Sequence, residues 1–388
     1  MERVYFDYSA TTPLDPSVAE AMQPYLLQYF GNPSSIHAYG REARVLLEEQ
    51  REAIARLLGI ETQELFFTSG GTEADNHALK GIVAANRKNG KTHLIVSSIE
   101  HHAVLHTVES LSAEGCEIDV LHVDSFGMVN PDDIRKLIKN TTGLISVMHS
   151  NNEIGMIQPV NDVVAVAKEY GIPVHSDTVQ TVGKVPLNLH ELCIDLAAVS
   201  AHKFFGPKGI GAIVIKTGTR INSFLEGGSQ ESNRRAGTEN LCAAVGFARA
   251  LERSVKTQEQ DVRHVEHLRL LMENRLRAEY PGVLINGHPQ MRLPHILSVS
   301  FPSTIYTLDG EAIIMGMDLE GVAVTSGSAC TSGSLLPSHV LHAMGYDTLT
   351  ARATIRFSLS RMTTVEEVEY ALNALQRVIQ RQLSLKTA

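Results

Sequence analysis

An α/β fold on a mostly parallel seven-stranded sheet, with a smaller α+β domain beside it, is what the pattern of this chain predicts. Three observations carry that reading. Over the first two-thirds, short apolar runs alternate with helix-length stretches, the pattern of strand–helix–strand crossovers. A Gly- and Pro-free stretch at 247–280, rich in Glu, Arg and Leu, then interrupts the alternation. Beyond it a different arrangement of strands and helices begins, and 388 residues is too long for one ordinary core.

The seven strand-like runs are 65–67, 93–97, 118–123, 142–148, 172–174, 196–199 and 212–215. They are short and apolar, as strands buried on both faces are. Helix-like stretches such as 72–89 and 160–170 separate several of them. Residues 247–280 read as one or two amphipathic helices linking the domains. The second pattern has a strand-like 297–301, a Gly- and Ser-rich segment around Cys330, a strand-like 354–359 and a closing helix at 365–383. The expected division is a large domain over 16–260 and a small one from 1–15 with 261–388, which carries a mobile loop at about 325–335.

Composition narrows the function classes. With 43% hydrophobic and 20% charged residues the profile is soluble and globular. A net charge of −9 argues against non-specific binding to nucleic acid or a membrane surface, which needs clustered positive charge. The start, Met1-Glu2-Arg3-Val4-Tyr5-Phe6-Asp7, lacks the basic and apolar regions of a signal peptide, and no apolar stretch is long enough to span a bilayer. Cys116, Cys193, Cys242 and Cys330 are scattered without a Cys-x-x-Cys pair, so neither a disulfide framework nor a zinc knuckle is expected. A reducing cytoplasm is the expected location.

The chemistry starts at two strand ends. Asp177 follows the run 172–174 and Lys203 follows 196–199, where open α/β sheets place their ligands. A lysine that forms a Schiff base and an acid that pairs with a protonated ring nitrogen are what pyridoxal phosphate requires. Phe67-Thr68-Ser69-Gly70-Gly71-Thr72 leads a strand into a helix start, either a plain N-cap or an anion site suited to phosphate. Gly90-Lys91-Thr92 is not a P-loop, because Ala85 stands where that motif needs glycine.

Further residues fill in the site. His101 follows the strand at 93–97 and is either locally packed or placed to lie on a cofactor ring and move protons. His102 and His106 are four apart, but Ala103 occupies the position of a zinc protease's glutamate, so no metal is expected. Asn151 and Asn152 are turn formers, or Asn152 holds a substrate carboxylate or the cofactor ring. Gln180 can donate to the cofactor's phenolic oxygen, and Ser200 and His202 can hold its phosphate. Cys330 lies among small polar residues, a chance loop cysteine or an accessible nucleophile. Arg356, on an alternating strand, is either solvent-facing or a fork for an amino-acid carboxylate.

Assembled in order, these motifs resemble the cysteine desulfurases, a branch of fold-type I pyridoxal phosphate enzymes. The resemblance runs nearly end to end: Asp7-Tyr8-Ser9-Ala10-Thr11-Thr12-Pro13, Gly31-Asn32-Pro33-Ser34-Ser35, Glu100-His101, Asn151-Asn152-Glu153-Ile154-Gly155, Gly206-Pro207-Lys208-Gly209, Arg235-Ala236-Gly237-Thr238 and Arg356-Phe357-Ser358, besides the segments around Gly70, Asp177, Lys203 and Cys330. It implies that Lys203 holds pyridoxal 5′-phosphate, that His101 stacks on the ring and moves protons, and that Asp177 and Gln180 tune it. It implies phosphate binding by Gly71, Thr72, Ser200 and His202, with Thr238 reaching the partner's phosphate in a homodimer. Arg356, Asn152 and Asn32 would fix the carboxylate of L-cysteine, and Cys330 would take its sulfur as a persulfide while alanine leaves.

The sulfur would pass to an acceptor protein, an iron–sulfur scaffold or a tRNA-thiolation enzyme. Selenocysteine lyase, another aminotransferase-like activity, and a sulfur-relay component dependent on a partner are the rival readings. Housekeeping iron–sulfur members carry a C-terminal extension that docks the scaffold, whereas this sequence ends at Ala388, soon after its last helix. Thr178-Val179 stands where Ala-Thr or Ala-Val is more usual, with little effect expected.

Overall fold

The structure is a computed structural model and describes residues 3–327 and 337–385. The first strand, β1 (Val4–Tyr5), belongs to the second half of the molecule. The main sheet is built from β2 (Leu65–Thr68), β3 (His93–Ser97), β4 (Glu117–Leu121), β5 (Thr142–Ser146), β6 (Val174–Asp177), β7 (Leu196–Ser200) and β8 (Gly211–Ile215). Its order is β2-β8-β7-β6-β5-β3-β4. Only β8 runs antiparallel to its neighbours, and the other pairs are parallel.

Alternation along these strands divides the apolar side chains between two faces. Leu94, Val96, Leu196, Ala198 and Ile213 pack against the helix Gly71–Asn86 and the helix His102–Ala113. Ile95, Ala197, Val199 and Ala212 pack on the other face, against the helices Ala38–Leu58 and Val160–Glu169 and the first part of Leu241–Glu279. Each leucine, isoleucine or valine so buried contributes on the order of 1.5–3 kcal/mol.

A second core gathers around β9 (Leu284–Ile285), β10 (Ile296–Ser300) and β12 (Thr354–Ser358), an antiparallel sheet, with β11 (Val322–Ala323) paired to β1. Leu297, Val299, Ile355 and Phe357 pack there with Phe6 and the closing helix Val365–Leu385.

The helix Leu241–Glu279 spans both cores: Ala244, Phe247 and Leu251 lie in the first and Leu268, Met272 and Leu276 in the second. Its 39 residues make one continuous rod, roughly 60 Å long. It begins six residues before the expected 247, with the Asn240 side chain accepting from Ala243 N. The expectation stopped at Gly246 because glycine weakens a helix. A Cβ there would lie 2.6 Å from Met22 Sδ and 2.8 Å from Pro207 Cγ, so close packing demands the glycine.

Strand β6 also departs from expectation. It runs Val174–Asp177 rather than 172–174, so Asp177 is its last residue. Its polar side chains hid it, yet they find partners inside: His175 Nδ1 pairs with Ser146 Oγ at 2.9 Å and Ser176 Oγ donates to Val147 O at 2.8 Å, while His175 Nε2 is left facing Asp75. Likewise β4 starts at Glu117 and ends at Leu121, because an edge strand tolerates Glu117 and Asp119.

Candidate functional site

At the C-terminal edge of the parallel strands, the turns after β2, β3, β5, β6 and β7 converge on a cavity of about 220 Å³. Nine of the residues expected to touch a cofactor line it. At one end lie Gly71, Thr72, Ser200 and His202; around the rest lie His101, Asn152, Asp177, Gln180 and Lys203. Asp75, Met148 and Val179 complete the wall.

The wall formed by Gly71 and Thr72 follows from β2 and its helix. Gly70 is the N-cap and has no side chain with which to cap the first turn. A Cβ on Gly71 would lie 2.7 Å from Val179 Cγ2 and 3.7 Å from Ser200 Cβ, so a side chain would fill the space the helix start leaves open. Backbone N–H groups and the helix dipole favour an anion there. Glu73, one residue beyond Thr72, is held away by Arg235 Nε at 2.8 Å and accepts from Ser69 N.

Lys203 leaves β7 through the 3-10 turn Ala201–Lys203, and its Nζ donates to Ser9 O and Ala10 O, each at 2.8 Å. Gln180 Nε2 donates to the same Ser9 O at 2.9 Å, while Lys184 Nζ donates to Gln180 Oε1 at 2.7 Å. That bond fixes the amide with its nitrogen on the Ser9 side. Asp177 Oδ1 accepts from Val179 N at 2.9 Å. Burial pushes Asp177 up to about 6, against the Val179 N–H and Lys203, which favour its charge.

His101 caps the helix His102–Ala113 by accepting from Ala103 N at 3.1 Å. Burial first, then Lys203 and the neighbouring histidines, push it down to about 4, so it is a neutral imidazole near neutral pH. His102 and His106 stack at 4.9 Å between ring centroids, with His339 at 5.0 Å from His102. His102 and His106, with His101 and Thr72, line a depression next to the cavity.

Arg356 is 1% exposed and does not line this cavity. Its Nη1 donates to Asn152 O at 2.8 Å, and its Nη2 meets Asp7 Oδ1 at 2.6 Å. Its Nε has no partner among the described residues. Asn32 is exposed and its Oδ1 accepts from Ser34 N at 2.9 Å, an Asx turn. Thr238 is exposed, away from the cavity lining. Cys330 lies outside the described residues. Cys116 is buried, and burial pushes its thiol up, as it does for Cys242.

Sequence reasoning missed several groups. Asp75 had a usable signal: it shares a helical stripe with Ala78, Leu79 and Ile82, an apolar face on which an acid stands out. The Ser9 and Ala10 carbonyls and the Asp7 carboxylate had none, because their partners lie hundreds of residues away.

The donor set suits pyridoxal phosphate: an amine and a buried carboxyl on one cavity, with an anion cradle at one end. The aminotransferase class-V model matches residues 4–371, and the chain belongs to that family of pyridoxal 5′-phosphate enzymes. The cysteine desulfurase IscS of Dictyoglomus turgidum is 47% identical over 378 residues, covering 97% of this chain and 95% of its own. The structure of a NifS-like protein superposes with a TM-score of 0.90 at 39% identity, covering 97% of this chain and 99% of its own. That of SspA in complex with cysteine gives 0.80 at 32% identity, covering 93% and 100%. Within the family this chain therefore stands on the cysteine desulfurase branch, with the fold-type I architecture.

Proposed function

We propose that the protein converts L-cysteine to L-alanine and moves the sulfur onto Cys330 as a persulfide for delivery to an acceptor protein. The observation that carries the reading is the convergence of Lys203, Asp177 and the Gly71–Thr72 cradle on one cavity. Pyridoxal phosphate, when bound, supplies an electron sink next to the substrate's α-carbon. The residues supply the rest. Gly71, Thr72, Ser200 and His202 hold the phosphate, and Asp177 carries the negative charge facing the ring nitrogen. Lys203 binds the cofactor through its amine and afterwards moves a proton at the substrate's α-carbon. His101, neutral at working pH, would take or return a proton at the substrate. Arg356, with Asn152 and Asn32, orients the substrate carboxylate. The Cys330 thiolate attacks the substrate sulfur; the carbon–sulfur bond breaks, a sulfur–sulfur bond forms, and the carbon left behind is protonated to give alanine.

We further propose a homodimer in which Thr238 reaches the partner's phosphate, a division into 16–260 and 1–15 with 261–388, and a cytoplasmic location. Among the described residues no helix is long and apolar enough to cross a membrane. The acceptor is an iron–sulfur scaffold or a tRNA-thiolation enzyme, to be separated by capturing partners on the persulfide form.

The decisive experiment is turnover of L-cysteine by the purified holoenzyme with a reductant. Alanine and sulfide should appear in the wild type and not in Cys330→Ala. Lys203→Ala should abolish the visible band of the bound cofactor and slow turnover more than ~10³-fold. Full activity in Cys330→Ala would remove the desulfurase reading, and an intact band in Lys203→Ala would show that another lysine holds the cofactor.

A further inference from the structure

Asp75 has no role in the steps above. It is 1% exposed, yet it faces the cavity. An oxygen of Asp75, an oxygen of Asp177 and a ring nitrogen of His101 all lie within 4.8 Å of one another. Behind Asp75 stands His175, wholly buried, with Nε2 at 3.3 Å from Asp75 Oδ1. Neither of these two atoms has a hydrogen bond to any other described group. The far nitrogen of His175, Nδ1, is 2.9 Å from Ser146 Oγ.

Two buried carboxyls this close repel each other when both are ionised, so the second charge is disfavoured. Burial, then Asp177, then Glu100 push Asp75 well above the usual carboxylate range. Asp177, helped by the Val179 N–H and Lys203, ionises more readily. The acids and imidazoles around Asp75 are Asp177, Glu100, His175 and His101; the cation of the same cavity, Lys203, favours the charge of Asp177. Burial pushes His175 down to about 3 and His101 to about 4, and pushes Glu100 up to about 8.

We propose that Asp75 is a positioning residue that stays a neutral carboxylic acid, its proton held against His175 Nε2, so that Asp177 alone presents negative charge to the cofactor nitrogen. The inference rests on the assignment of Asp177 made under the proposed function. The hydrogen bonds run one way: Asp75 O–H donates to His175 Nε2, and His175 Nδ1–H donates to Ser146 Oγ. One shared proton thereby satisfies both unpartnered atoms. An ionised Asp75 would instead set a second negative charge in the same wall, and the two acids would compete for one ring nitrogen.

The test is infrared spectroscopy at neutral pH of holoenzyme carrying isotope-labelled aspartate, which separates Asp75 from Glu100. A protonated-aspartate band should be present in the wild type, persist in Glu100→Gln and vanish in Asp75→Asn. Its absence from the wild type, or its survival in Asp75→Asn, overturns the inference. Cofactor affinity is the second readout. Asp177→Asn should weaken pyridoxal phosphate binding about thirtyfold or more, as loss of a buried charge partner does. Asp75→Asn, whose amide can still donate to His175, should lose about tenfold less than Asp177→Asn. Equal losses in the two variants overturn the inference. Wild-type protein that takes up no cofactor sinks both the inference and the assignment beneath it, whereas uptake without the acid band sinks only the inference.

Discussion

Along the cavity wall built from the ends of β2 and β7, every polar group stands within a few residues of a strand end. Gly71 and Thr72 follow β2, and Ser200, His202 and Lys203 end or follow β7. Arg356, by contrast, is set by Asp7, 349 residues away, and by the carbonyl of Asn152. The first draws its geometry from one sheet and its helices. The second exists only where a strand of the second core meets the N-terminal segment and a loop of the first. A site built from one rigid element tolerates loss of a distant contact, whereas a site assembled across two cores depends on each tie between them.

That contrast can be broken in four places. Arg356→Gln should have the largest effect, raising KM for L-cysteine about thirtyfold or more while the visible cofactor band stays intact, because a buried guanidinium with two partners is lost. A change in the band but not in KM would mean that Arg356 serves the cofactor side. Asp7→Asn should come next, with KM up about tenfold and kcat nearly preserved, since Arg356 keeps its charge and loses one tie. An equal fall in kcat would show that Asp7 does more than orient the fork.

Gly71→Ala tests the other side. The added methyl meets Val179 Cγ2 at 2.7 Å, so unfolding stability should drop by about 1–3 kcal/mol and phosphate affinity should fall, with KM for cysteine little changed in cofactor-saturated enzyme. Chemical denaturation and cofactor titration measure both.

The smallest effect is a pH dependence. Glu100, raised from 4.5 to about 8, binds a proton in the folded state that the unfolded chain releases. Its contribution is therefore present below pH 4.5 and is lost as pH rises through about 8. His101, His149 and His202, lowered from 6.5 to about 4, act oppositely, adding stability as pH rises from about 4 to 6.5. Above 6.5 the contribution of the histidines levels off, and the protons retained by the buried acids Glu100 and Asp75 set the slope. Stability should fall from pH 6.5 to about 8 in the wild type, by at most ~1.4 kcal/mol per pH unit from Glu100, and fall less in Glu100→Gln. Parallel curves for the two proteins would refute the assignment.

How much could be read in advance follows from the same contrast. Lys203 and Asp177 were legible because apolar runs announce strands, and strand ends announce a ligand edge. Asp75 was not singled out, although its stripe on the helix Gly71–Asn86 pointed inward. Gly246 looked like a helix boundary and proved to be a packing position. The polar residues His175, Ser176 and Asp177 concealed three of the four positions of β6; partners such as Ser146 Oγ and Val147 O, brought in from the neighbouring chain segment, are what let them sit inside.

The amino-acid order alone determined the alternation of strands and helices and the placing of Asp177 and Lys203 at strand ends, because periodicity and strand-end placement are local properties of the chain. Only the tertiary structure decided that Asp7 ties Arg356, that Lys184 orients Gln180, and that Asp75 and His175 stand behind Asp177. Those pairings depend on distances between side chains brought together by packing of separate elements. Burial then turns such distances into charge states by excluding water.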